Sequence, residues 1–327
     1  MDNYSLPRSR TLQLKDVMGL DRRRVVAGEA CVSDLAVHGL EALFRDGVVD
    51  SRSIDAIVVT TSCPDYFIPP TSHVIHGRLA LKKETFCLDI SQGCAGFVVG
   101  LIQTFMLLQQ NTVNRVVLVN GDVLSRKVNK RDRNSFPLVG DAVAITVVDR
   151  QPQVGPVFAN VFSDGTLRDA LIIPAGGFRQ PSSRETAEVR DAGDGNFRSL
   201  DDLRMDGTAV FNFVQREVPE MVKALLSFGS ESLDSVDYFL FHQANQFMLT
   251  KLADRMGIPR NRMPSNVCGV FGNSSGATIP TCIAHNLSDE LRSSRIRACF
   301  AGFGAGLTWC SILSDLGPLE FSRFEYY

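Results

Sequence analysis

The nine residues DISQGCAGF (89–97) place Cys94 between Gly93 and Gly96, with no second cysteine at metal-ligand spacing. TFCLDI before it reads as a strand, and AGFVVGLIQTFMLL after it reads as an apolar helix. The thiol therefore belongs to a strand-to-helix turn. A helix N-terminus carries unsatisfied N–H groups and a partial positive charge, both of which favour thiolate. The flanking glycines permit unusual backbone angles and close approach of a substrate. The same residues also describe a small buried side chain at a tight turn, and the stretch alone leaves the nucleophile and the packing residue equally open.

Two further residues change that balance. His242 ends the apolar run VDYFLFHQ (236–243), and Asn273 lies in the glycine-rich segment FGNSSGATIP. Taken singly, the first describes a histidine satisfied by backbone and the second an ordinary turn asparagine. A cysteine, a histidine and an asparagine meeting in one cleft suit acyl chemistry. The thiolate attacks a thioester and holds the acyl group, while His and Asn donate hydrogen bonds to an oxyanion or enolate. Backbone N–H groups at Cys94 and in the glycine loop AGFGAGLTW (301–309) supply a second oxyanion site. Losing one such donor costs about 3–4 kcal/mol of transition-state stabilisation.

The elements that must bring these residues together alternate between strand and helix patterns, an α/β architecture. IDAIVVTT (54–61), RVVLVNGD (115–122) and AVAITVVD (142–149) are β-branched runs of strand length. SDLAVHGLEALFRDGV (33–48) carries Leu35, Ala36, Leu40, Leu43 and Phe44 on one helical face. Residues 209–229 carry a second apolar stripe, with Pro219 expected to bend or interrupt it. The order then repeats. SIDAIVVTT matches SVDYFLFHQ, SQGCAGFVVGLIQ matches GNSSGATIPTCIA, and RVVLVNGD matches RIRACFAGFG. An internal duplication follows, breaking near Arg150–Gly155 into halves 1–152 and 153–327. Cys94, His242 and Asn273 would converge on the cleft between them. The polar stretch 176–201 reads as a surface excursion.

Composition narrows the partners. The chain has 327 residues, 44% hydrophobic and 21% charged, with a formal net charge of −2. That is a globular balance with no electrostatic call for nucleic acid or an anionic membrane. No signal peptide and no bilayer-length apolar run is visible, so the expected location is the cytoplasm. The eight cysteines are scattered through apolar segments, as free thiols in a reducing compartment would be. His73 and His76 are three apart, but no ligand cluster beside them makes a metal site.

GCAGF, FHQAN, FGNSSGATIP and GFGAGLTW resemble, in order and spacing, the signatures of the ketoacyl-acyl carrier protein synthase III family. The likeness runs from about Gly19 to Asp315 and includes GLDRRRVVA, TTSCPDYFIPPTS, DRNSFPLVGDAVA, SDGTLRDALIIPAGG and MDGTAVFNF. It implies the thiolase-like fold, two α/β halves packed as a five-layer αβαβα sandwich. It implies an acyltransferase that binds no cofactor and uses acyl and malonyl thioesters of acyl carrier protein or coenzyme A. Cys94 would accept the acyl group. His242 and Asn273 would support decarboxylation of the malonyl thioester and Claisen condensation to a 3-ketoacyl thioester. The family's second backbone oxyanion donor falls on Ala305. A homodimer is implied, with the partner's loop completing the acyl tunnel.

The departures from the family pattern are equally informative. YSLP (4–7) is all that stands for the opening of the family's first strand. The tryptophan and arginine that sandwich the adenine of coenzyme A have no counterpart. The arginine position falls near Val17, and the single tryptophan is Trp309. A carrier-docking arginine is replaced by Phe247, with Lys251 one helical turn further on. The tunnel's gating phenylalanine aligns with Ile68, beside Phe67. A specialised lipid or secondary-metabolite enzyme loaded from a carrier protein is the resulting expectation. The alternative is acyl transfer from Cys94 to an oxygen or nitrogen acceptor without decarboxylation. A silent partner subunit and a hydrolase are weaker readings: all three triad positions are kept, and the motif register opposes hydrolysis.

Overall fold

In the computed structural model, residues 8–151, 155–193 and 195–327 are described, with the side chain of residue 8 excepted. YSLP (4–7) and the expected break at 152/153 lie outside them.

Two four-stranded sheets organise the chain. The first has the order β2 (Phe86–Ile90), β1 (Ala56–Thr60), β3 (Arg115–Asp122), β4 (Ala142–Asp149). Strands β2 and β3 run parallel to β1, and β4 closes antiparallel on β3. The second has the order β10 (Tyr238–Phe241), β11 (Ile296–Gly304), β12 (Thr308–Leu316), β5 (Phe158–Ser163). Here β10 and β11 are parallel, while β12 runs antiparallel to both β11 and β5. Strand β3 thus corresponds to β11 and β4 to β12. Strand β5 has no counterpart in the described part of the first half. Between β5 and β10 in sequence, both strands of the second sheet, β6 (Leu171–Ile172) pairs with β9 (Arg204–Met205) and β7 (Arg190–Asp191) with β8 (Phe197–Arg198). This is the expected polar excursion.

Helices fill the layers. Alternating side chains of a strand face opposite sides, and three apolar clusters result. On the outer face of the first sheet, Ala36, Leu40 and Leu43 of α2 (Val32–Arg45) and Ile75 of α3 (Thr71–Arg78) pack on Ile57, Val59, Val117 and Val119. Between the sheets, Val98 and Leu101 of α4 (Gly96–Leu108) join Ile279 and Ile283 of α8 (Thr278–Asn286). These two helices pack against Val58 and Leu118 on one side and Leu240, Phe300 and Ile312 on the other. On the far face, Val214, Val218 and Leu225 of α5 (Gly207–Phe228) and Leu249 of α6 (Gln246–Met256) cover Phe239, Phe241 and Leu313. The product is a five-layer αβαβα sandwich. Two short helices complete it, α1 (Arg8–Met18) against α6 and α7 (Val267–Phe271) against α8.

Two local expectations change. Helix α5 runs unbroken through Pro219, because the stripe around it is buried and packing outweighs the one backbone hydrogen bond that proline forfeits. The segment 301–309 is mostly strand, not loop: β11 extends to Gly304 and β12 resumes at Thr308. Its glycines serve close approach to the start of α4. A β-carbon at Gly302 would lie 2.9 Å from the Cα of Ala95. No described helix is long and apolar enough to cross a membrane.

Candidate active site

Cys94 sits in the turn after β2, two residues before α4 begins. The end of β11 presses on it: a β-carbon at Gly304 would lie 2.5 Å from the Cβ of Cys94 and 3.2 Å from its Sγ. Only glycine lets this strand pass so close. Ala305, proposed as a backbone donor, is the next residue and opens the turn between β11 and β12. The helix N-terminus is present as expected, but the thiol is not thereby ionised. Burial pushes Cys94 up to about 11, against the downward pull of the Ser275 hydroxyl and its own backbone N–H, and with the negative charge of Asp122 adding to the rise. At neutral pH Cys94 is a thiol, and its attack must dispose of a proton.

His242 follows β10, its own N–H donating to Ala301 O at 2.8 Å. Burial pushes it down to about 4, so the ring is neutral at pH 7. Its Nδ1 lies 2.7 Å from Thr278 Oγ1, and that hydroxyl also lies 2.8 Å from the Ser275 carbonyl oxygen. The single hydroxyl hydrogen can serve only one of the two. Nε2 is the nitrogen left for a ligand. Phe303 packs edge-on to the ring at 5.5 Å.

Asn273 is held from the other half of the molecule. Its N–H donates to Leu138 O at 2.7 Å and its carbonyl accepts from Gly140 N at 3.0 Å, a single parallel bridge with Val139. Its side-chain Oδ1 accepts from Ser275 N at 2.9 Å. Among the described residues Nδ2 has only a long contact to Ala244 O, 3.5 Å, which leaves the donor end of the amide for a ligand.

Ser275 is the hub that residue types did not reveal. Its Oγ is 3.7 Å from Cys94 Sγ, its N–H orients Asn273, and its carbonyl reaches His242 through Thr278. Its φ of 56° is the left-handed region that a non-glycine residue enters only when its surroundings hold it there. The structure thus brings Cys94, His242 and Asn273 around one strained turn. The only sequence sign of it was the run Ser274-Ser275-Gly276, which reads as ordinary turn chemistry.

The remaining candidates lie elsewhere. Phe67 and Ile68 are 70% and 85% exposed on this single chain, with Phe67 against Phe178 at 5.5 Å between ring centroids. Phe247 lies on α6 with Lys251 one turn on, stacks on Phe211 at 5.7 Å, and has the Lys251 ammonium 5.9 Å above its ring. Val17 is half exposed on α1. Trp309 packs at 5.6 Å from Phe162 and 5.2 Å from Phe213 as part of the second half's core.

Two related α/β halves in a five-layer sandwich, with the site at their junction, define the thiolase-like class. The 3-oxoacyl-[acyl-carrier-protein] synthase III model matches residues 88–165, and its C-terminal companion matches 229–316. A putative 3-oxoacyl-[acyl-carrier-protein] synthase 3 of Campylobacter jejuni is 31% identical over 96% of this chain and 88% of its own. The crystal structure of a 3-oxoacyl-(acyl-carrier protein) synthase from Burkholderia xenovorans superposes with a TM-score of 0.91 at 33% identity, covering 99% of this chain and 91% of that one. The priming β-ketosynthase of the R1128 polyketide pathway gives 0.74 at 25% identity, over 93% and 88%. The chain belongs to the 3-oxoacyl-[acyl-carrier-protein] synthase III family.

Proposed function

We propose that this chain takes an acyl group onto Cys94 and condenses it, with loss of carbon dioxide, with a malonyl thioester to give a 3-ketoacyl thioester. The observation that carries the reading is the arrangement of Cys94, His242 and Asn273 around Ser275. In the first stage the sulfur attacks the acyl thioester. The tetrahedral oxyanion lies within reach of the backbone N–H groups of Cys94 and Ala305. In the second, the malonyl thioester carbonyl accepts from Asn273 Nδ2 and from His242 Nε2, the Thr278 hydroxyl turning to donate to Nδ1 so that Nε2 carries the hydrogen. Loss of carbon dioxide leaves an enolate on that oxygen. Its carbon attacks the acyl carbonyl, and Cys94 departs and is reprotonated. Neutral His242 suits this role, since its ring donates without demanding a counter-charge.

Acyl carrier protein is the donor we favour. Trp309 is packed into the core and Val17 stands near the expected arginine position, so the adenine clamp of free coenzyme A has no obvious replacement. The carrier would dock beside Phe247 and Lys251. A homodimer would bury Phe67 and Ile68 and let them reach the acyl tunnel of the second copy. The enzyme binds no cofactor in this reading and works in the cytoplasm, in a specialised lipid or polyketide pathway; the R1128 priming relative supports the last point.

Intact-protein mass spectrometry with a panel of acyl thioesters tests the first stage. An acyl mass increment on the wild type, absent from Cys94→Ala, is expected. Carbon dioxide released from labelled malonyl carrier protein tests the second. Acylation without release would mean transfer to an oxygen or nitrogen acceptor instead.

A further inference from the structure

The resting Cys94 thiol must lose a proton as its sulfur attacks. The histidine nearby is a weak base, because burial holds it near 4. Behind the thiol lies a second acid-base group. Asp122 ends β3 and is 1% exposed. Its Oδ1 accepts from Ser62 N at 2.6 Å and Thr61 Oγ1 at 3.0 Å. Its Oδ2 is buried and makes no hydrogen bond among the described residues. The Ser275 hydroxyl lies 3.7 Å from the thiol and, against the upward push of burial, is also the first of the groups that hold the Asp122 carboxyl down. The Cα of Gly93 is ringed by them: a β-carbon there would lie 2.8 Å from Ser275 Oγ, 2.6 Å from Ser62 Oγ and 3.7 Å from Asp122 Oδ2. The absent side chain keeps that space open for the serine hydroxyl.

We propose that Asp122, acting through Ser275, takes the thiol proton of Cys94 during acylation. The S–H bond breaks as the sulfur–acyl bond forms. The hydrogen passes to Ser275 Oγ, whose hydroxyl turns toward Asp122 and gives its own hydrogen to Oδ2. The departing thiolate of the donor takes its proton from solvent, and the proton held on Asp122 stays there until the sulfur is released. When condensation later expels Cys94, a proton returns to its sulfur. Burial pushes the Asp122 carboxyl up to about 6, with the Ser275 hydroxyl first among the groups opposing it, so it is ionised and mildly basic at neutral pH. The titratable groups around it do not compete. Cys63 is pushed well above the usual thiol range by burial and by Asp122 itself. Asp141 is occupied by Ser125 and Val26. His242 is engaged with the Ser275 carbonyl through Thr278, not with the Ser275 hydroxyl.

The inference rests on Cys94 being the reacting thiol, and its test does not require condensation. Alkylation of Cys94 by iodoacetamide is followed by peptide mass spectrometry from pH 5 to 8, in wild type, Asp122→Asn and Ser275→Ala. In the wild type the rate should fall below pH 6 as Asp122 protonates. In Asp122→Asn, which keeps the Oδ1 contacts, that inflection should vanish and the rate at pH 7 should drop at least tenfold. A purely electrostatic or structural Asp122 predicts otherwise. Removing its charge would lower the thiol's pKa and speed alkylation, so an equal or faster rate overturns the proposal. Ser275→Ala should show the same loss, and the double variant no further loss, since one route is cut twice. If Asp122→Asn does not fold, as judged by its melting transition, Ser275→Ala decides alone; an unchanged pH profile there refutes the relay. Normal relay kinetics with no carbon dioxide release would instead discredit the condensation reading and leave the relay standing.

Discussion

The two halves build their helix-opening turns differently. In the first, strand β2 leads straight to Cys94, two residues before α4. In the second, the short helix α7 stands where β2 would be, and the residue two before α8 is Gly276, not a nucleophile. Asn273 lies three residues earlier still, and its backbone is bonded to Leu138 and Gly140 of the first half. The two turns also face each other: a β-carbon on Gly276 would sit 3.0 Å from Gly93 O. One copy of the motif has been specialised to present a thiol. The other carries Ser275 at the position that the sequence match sets opposite Cys94, and in the proposed reaction its His242 and Asn273 serve the second substrate.

If that division is functional, variants should separate the two stages. Cys94→Ala should abolish acyl loading, the largest effect. His242→Ala and Asn273→Ala should still load, while carbon dioxide release and product formation fall by about 10²–10³. Single-turnover loading measured beside steady-state condensation reads both. Equal loss of loading and condensation in the Asn273 variant would erase the distinction between the halves.

Glycine sharpens the comparison at the next level. Gly304 and Gly276 both lie against the nucleophile's turn, but the space differs. Gly304→Ala meets the Cβ of Cys94 at 2.5 Å, a contact no side-chain rotation relieves. Overpacking of this kind costs about 1–3 kcal/mol, and acyl loading should fall with it. Gly276→Ala needs only a few tenths of an ångström from Gly93 O, so its loss of stability should be the smaller. Urea midpoints at constant m-value give the ranking.

Much of this was legible in the chain because it rests on residue type at an element's end. The β-branched runs 115–122 and 142–149 coincide with β3 and β4. Cys94 and His242 stand out because a reactive side chain ends an apolar strand or opens an apolar helix. Asp122 and Ser275 did not stand out. An aspartate after Asn-Gly and a serine before glycine are what turns ordinarily contain. Only the pairing of β1 with β3, which sets Thr60 opposite Asn120, and the packing of α8 beside α4 bring them behind the thiol. The strand character of 301–304 was hidden for a related reason. Glycines weaken a strand pattern, yet here they are the condition for β11 to cross the start of α4.

The smallest effect is one that the intact protein should nearly conceal. Each half buries a titratable group, and burial drives the two in opposite directions: Asp122 rises from 3.8 to about 6, and His242 falls from 6.5 to about 4. For Asp122, the folded state binds its proton more tightly than the unfolded chain. Its stabilisation is complete below pH 4 and is lost as pH rises through 6. For His242, the folded state binds its proton less tightly. Its contribution is present above pH 6.5 and is lost as pH falls through 4. Each shift corresponds to about 3 kcal/mol, and their windows overlap between pH 4 and 6. There the slopes oppose each other, so this pair should leave the unfolding free energy nearly flat. His242→Ala removes one arm. Relative to wild type, its stability should then decline by about 3 kcal/mol between pH 4 and 6, and Asp122→Asn should show the reverse trend. Parallel slopes in both variants would mean that the two buried groups do not oppose each other across the interface of the halves.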